Sequence, residues 1–147
     1  MQIETKFLGS VEIKTENIFT FDQGIPGFEE STKFVFLPLD KESPFGILQS
    51  IEQVEVGFVV AFPFLLKDDY AFDVSDTDKK ELHVEAASDI ITYSIVTLKD
   101  PFEKSTLNLL APVLINIKEK IGKQIVLQDN EKYPLRHPIG ALEGSAK

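Results

Sequence analysis

A chain of 147 residues, 43% hydrophobic and 27% charged, has the size and composition of one domain around a single core. Its net charge of −9, from 15 basic and 24 acidic residues, argues against a surface built to displace phosphate counterions, so direct nucleic-acid binding is not expected. The absence of cysteine excludes a disulfide, a thiolate metal site and a cysteine nucleophile.

Taken in order, residues 2–7 alternate apolar and polar side chains, which predicts a half-buried strand. Gly9-Ser10 turns the chain, and Val11 to Lys14 alternates again, as in a hairpin. Ile18 to Phe21 predicts a third strand. The stretch Gln23 to Glu30, QGIPGFEE, follows it: Pro26 presets φ and Gly27 can take φ > 0, the recipe for a type II turn. Phe28 then either folds back into the core or is displayed. Glu29 to Ser31 predicts a single helical turn before the apolar strand Phe34 to Leu37. After a polar loop, Asp40 to Pro44, Gly46 to Ile51 predicts a strand, and Gly57 to Phe64 a central strand buried on both faces, with Pro63 near its end.

Tyr70 to Val74 continues as extended alternation. Asp76 to Val84 is the best helix, capped by Ser75 or Asp76, with Leu82 facing the core. Ile90 to Leu98 is a β-branched strand. Ser105 to Ile117 is apolar but broken by Pro112, which predicts two strands joined at a kink. Glu119 to Gly122 should turn, and Gln124 to Leu127 should be the last strand. The fold class is therefore mainly β: one small barrel or sandwich of about nine or ten short strands with one short helix. The domain is expected to span residues 1–138, with 139–147 a disordered tail.

No signal peptide opens the chain, and the longest apolar stretch, Val56 to Leu66, is short for a bilayer span and broken by Pro63, so a cytoplasmic protein with no membrane contact is expected. No phosphate-cradling glycine motif, nucleophile elbow or metal-ligand pattern stands in the sequence, so no catalytic residue, cofactor or metal is assigned. His83 and His137 lack metal-ligand neighbours. The carboxylate pairs Glu29-Glu30, Asp68-Asp69 and Asp76 with Asp78 read as solvated charges, because a catalytic pair needs burial to separate its pKa values. The alternative is a small β-barrel hydrolase or a ligand-binding module with a carboxylate-lined pocket. Asn108 and Asn116 read as partners for backbone left unpaired around Pro112. Tyr133 and Arg136 either clamp the end of the chain or belong to a partner site.

Four segments in order carry a resemblance: QGIPGFEE, Leu48-Gln49-Ser50, Asn108 to Asn116 (NLLAPVLIN), and Gly122 to Leu127 (GKQIVL) followed by Tyr133, Arg136 and His137. Together they resemble the bacterial flagellar assembly factor FliW family, over residues 1 to about 138; Ala141 to Lys147 matches nothing there. The resemblance implies a non-enzymatic β-barrel protein that binds flagellin in the cytoplasm and binds the translational regulator CsrA. It implies partner switching: free protein sequesters CsrA and permits flagellin synthesis, and accumulating flagellin occupies the protein and shuts synthesis down. An acidic chain suits a basic RNA-binding partner. The motif positions Gly24, Pro26, Gly27, Phe28, Asn108, Pro112, Asn116, Tyr133 and Arg136, with Glu29 beside them, are the candidate partner-binding residues.

Overall fold

The structure, a computed structural model, describes residues 1–22, 24–39, 44–66, 70, 72–101, 104–127 and 133–139. Its strands are β1 (Gln2–Glu4), β2 (Ser10–Glu12), β3 (Ile18–Thr20), β4 (Lys33–Pro38), β5 (Phe45–Ser50), β6 (Gly57–Ala61), β7 (Ile90–Thr97), β8 (Thr106–Leu107), β9 (Val113–Asn116), β10 (Ile121–Gln124) and β11 (His137–Pro138). A single helical turn, α1 (Pro63–Leu66), a short helix, α2 (Asp76–Glu81), and two 3-10 turns, Thr15–Asn17 and Ala87–Asp89, complete the described elements.

The choice between barrel and sandwich falls to the barrel. Strands β7-β6-β5-β4-β3-β10-β9 pair in that order, and β9 returns to β7, closing a ring of seven. Closure removes the exposed edges that an open sheet would carry. All contacts round the ring are antiparallel except β3–β10, which is parallel and joined by one pair, Ile121 with Thr20. The end of β7 pairs with β8, which pairs with β11, and β1 with β2 forms the separate hairpin.

Alternation puts one side-chain set inside. Phe19, Phe21, Phe34, Phe36, Leu48, Phe58, Val60, Ile91, Tyr93, Val113 and Ile115 share one cluster there. The rings stack and meet edge to face, as Phe36 with Tyr93 at 4.9 Å and Phe21 with Phe34 at 5.3 Å between centroids. This is where much of the phenylalanine goes. Gly122 belongs to the same inner face: a Cβ there would stand 2.5 Å from the Phe21 ring, so the ring occupies the space a side chain would need. The alternate residues point outward and are covered in three patches. The β1–β2 hairpin lies over Val35, α2 sets Leu82 against Leu114 and Ile125, and a third cluster joins Ile47, Val59, Tyr70, Leu107, Tyr133 and Ile139.

Several boundaries differ from expectation. The strand from Gly57 stops at Ala61, because Pro63 opens α1, a position where its missing N–H costs nothing. The strand of residues 2–7 is only Gln2–Glu4; Thr5 N and Oγ1 both bond Gly9 O and fold the chain into the hairpin turn. Tyr70 and 72–74 form no strand, though Tyr70 is buried, Phe72 half-buried and Asp73 exposed. The expected turn at Glu119 to Gly122 lies earlier, and the strand expected at Gln124 to Leu127 begins at Ile121. Past Gln124 the ladder thins to Ile125 N and Leu127 N bonding Pro112 O and Leu110 O. Residues 137–138 pair with β8 as β11, and Ile139, beyond the expected domain boundary, is buried. Residues 140–147, the loop residues 40–43 and the pair Asp68-Asp69 lie outside the described residues.

Candidate functional site

The segment after β3 is built by two left-handed glycines. Phe21 N bonds Thr32 O, and Gly24 N bonds Phe21 O at 2.8 Å, so the chain turns away from the barrel wall. Gly24 has φ +67, and a Cβ there would stand 2.6 Å from Glu29 Cα. Ile25 to Phe28 is then the expected turn, with Gly27 at φ +89 and Phe28 N donating to Ile25 O at 2.7 Å. Ile25 is buried in the barrel and anchors the turn. Of the two positions open to Phe28, the structure takes neither extreme: its ring rests edge to face on Phe58, at 5.0 Å, with 43% of the residue exposed. Glu29 Oε2 accepts from Gly27 N at 3.0 Å, and that bond holds its carboxyl below the usual carboxylate range.

Beside the turn runs a groove of about 550 Å³, lined by Asp22, Gly24, Pro26 and Glu29 on one wall. Gly122, Lys123 and Gln124 of β10, Glu81 of α2 and Leu82 just past it form the rest. Lys123 ties these walls together through ion pairs with Asp78 and Glu81, which raise its ammonium above its ordinary pKa. Burial pushes the Asp78 carboxyl up, but hydrogen bonds from Lys123 and Ser75 and the Lys123 charge outweigh it and leave it below 3.8. Sequence reading did not name Asp22, Glu81, Lys123 or Gln124 as site residues, although Lys123 and Gln124 stand in the GKQIVL segment that carries the resemblance. The available signal was the spacing of Asp78 and Glu81, three apart on one face of a helix.

The other candidates lie elsewhere. Asn108 Oδ1 accepts from Ala111 N, and Pro112 is buried with its carbonyl bonded to Ile125 N. Asn116 is fully buried: its amide donates to Leu82 O and His83 O, and its carbonyl accepts from Lys118 N and Glu119 N. That uses the whole bonding capacity of the side chain and locks the end of α2 to the end of β9. Tyr133 is buried against Tyr70, edge to face at 5.6 Å, in the outer cluster. Arg136 is exposed next to β11. The structure therefore brings Gly24, Pro26, Gly27, Phe28 and Glu29 together at one surface site. It sets Asn108, Pro112, Asn116 and Tyr133 into the framework.

No three His, Asp or Glu side chains among the described residues converge to hold a metal ion. No helix among them is long and apolar enough to cross a membrane.

The chain is similar to known proteins over almost its whole length. The family model described as FliW protein matches residues 2–139. A flagellar assembly factor FliW from an Exiguobacterium species is 47% identical over 147 residues, covering 100% of both chains. One from Bacillus subtilis is 44% identical over 140 residues, 95% of this chain and 97% of its own. A crystal structure of the flagellar assembly factor FliW superposes with a TM-score of 0.87 at 40% identity, covering 95% of this chain and 96% of that one. The chain belongs to the FliW family.

Proposed function

We propose that this chain is a non-enzymatic, cytoplasmic flagellar assembly factor that binds flagellin and antagonises the translational regulator CsrA. Flagellin synthesis is thereby coupled to export. While flagellin accumulates it occupies the factor. When flagellin is exported, the freed factor captures CsrA and flagellin translation proceeds. The observation that carries this is the full-length, 47% identical relationship to a protein named as a flagellar assembly factor.

The chemistry of the site supports a binding role. A carboxylate-pair hydrolase needs one carboxyl held protonated near neutral pH. Glu29 and Asp78 are shifted the other way, towards the charged form. Titration calorimetry of the purified chain against purified flagellin and purified CsrA tests the proposal. Saturable binding to each, with flagellin displacing CsrA, is the expected result. Absence of binding to flagellin or to CsrA at tens of micromolar, about the weak end of specific association, overturns it.

A further inference from the structure

The barrel closes unevenly, and the weak seam opens onto the groove. Among the described residues, β3 and β10 are joined only through Ile121 and Thr20, with Thr20 N bonded to Lys120 O at 2.9 Å. Beyond that pair β3 turns away through the Phe21–Gly24 bond, while β10 continues along β9 to Gln124. Alternation fixes which groups β10 leaves open. Ile125 N and Leu127 N donate to Pro112 O and Leu110 O, so the odd-numbered residues face β9. The N–H and C=O of Gln124 and the C=O of Gly122 therefore point to the opposite edge, which is the floor of the groove. Among the described residues the groove is lined by the carboxylates of Asp22, Glu29 and Glu81, and its one ammonium, Lys123, is already paired with Glu81 and Asp78.

We infer that this seam is a docking site for an extended, basic segment of a partner protein. The segment adds as a short strand to the open edge of β10 and sets Lys or Arg side chains against Asp22 and Glu29, the lining carboxylates outside the Lys123 ion pairs. Main-chain bonds to Gln124 supply the pairing, and the carboxylates supply the selection. The exposed ring of Phe28 stands on the turn that forms the far wall. The inference rests on the function proposed above, and of the two partners proposed there the basic one, CsrA, is the occupant that charge favours.

The test compares wild type, Gln124→Ala and Gln124→Pro for CsrA binding. Gln124→Ala loses the side-chain bond to Ala111 O but keeps the edge N–H. Gln124→Pro removes that N–H on the side away from β9, where proline is tolerated in a strand. The expected result is binding within about threefold of wild type for Gln124→Ala and a loss of at least about tenfold for Gln124→Pro. A double reversal, Asp22→Lys with Glu29→Lys, should abolish binding and stands in if the proline variant fails to fold. Hydrogen exchange on the unmodified chain gives an independent readout, because the Gln124 amide should become protected when CsrA binds. Wild-type binding that neither the proline variant nor the double reversal weakens, with an unprotected Gln124 amide, overturns this site alone. Failure of the unmodified chain to bind CsrA overturns the parent proposal instead.

Discussion

Phe28 separates scaffold from contact surface on a single side chain. A ring in a packed core would cost roughly 3–5 kcal/mol on truncation to alanine. This ring is 43% exposed and held by one edge-to-face neighbour, Phe58. Phe28→Ala should therefore lower stability by only about 1–2 kcal/mol, measured by urea unfolding. The turn itself should persist, because Gly24, Gly27 and buried Ile25 fix its backbone independently of the ring. If the ring is part of the partner surface, CsrA affinity should fall by about tenfold or more in the same variant, as for an aromatic anchor. A stability loss at the core level, with affinity unchanged, would assign Phe28 to the scaffold. Asn116 is the opposite case: with all its bonds used internally, it offers a partner nothing.

At the scale of elements, α2 shows how a short helix is held at both ends. Ser75 Oγ accepts from Asp78 N at its start. At its end Val84 N bonds Lys79 O and His83 N bonds Lys80 O, a Schellman motif with His83 at φ +53 where glycine is preferred. His83→Gly should relieve that conformation and raise stability by about 1 kcal/mol, read as a higher urea midpoint. The other tie is electrostatic. Asp78 is held below its ordinary 3.8 mainly through Lys123, so the stability it contributes is present above that value and is lost as pH falls through the lower, folded value. Lys123→Met should flatten the acid limb of the stability–pH curve, and an unchanged limb would show that the pair contributes nothing. These elements also mark what a sequence can disclose. The Ser75 cap, the Pro-Gly turn and the β-branched strand from Ile90 are local signals, and they were legible. The helix end was not, because His83 carries no glycine to announce it. Nor was the strand at β11, since residues 137–138 pair only because the closed barrel carries β8 past them. The groove is non-local altogether: Asp22, Glu81 and Lys123 are far apart in the chain and meet only through barrel closure and the packing of α2 on its outer face.

For the whole molecule the question is whether a net charge of −9 acts globally or through one face. Uniform acidity would steer any basic partner and would also serve plain solubility. A local field predicts something narrower. Association with CsrA should slow by about tenfold as salt rises from about 20 to about 200 mM, while dissociation changes little, because screening acts on the encounter. Replacing Asp22 and Glu29 by their amides should lower the starting rate and flatten that salt dependence. Replacing Glu4 and Glu12, exposed on the β1–β2 hairpin, removes the same net charge but should leave the salt dependence close to wild type. The two pairs change the global charge equally, so equal slopes for both variants would mean that only the total matters. Rates indifferent to salt would remove electrostatics from recognition and leave the strand edge and Phe28 to supply it. A loss confined to the Asp22 and Glu29 variant would place the steering field at the open seam, the edge of β10 proposed as the docking site.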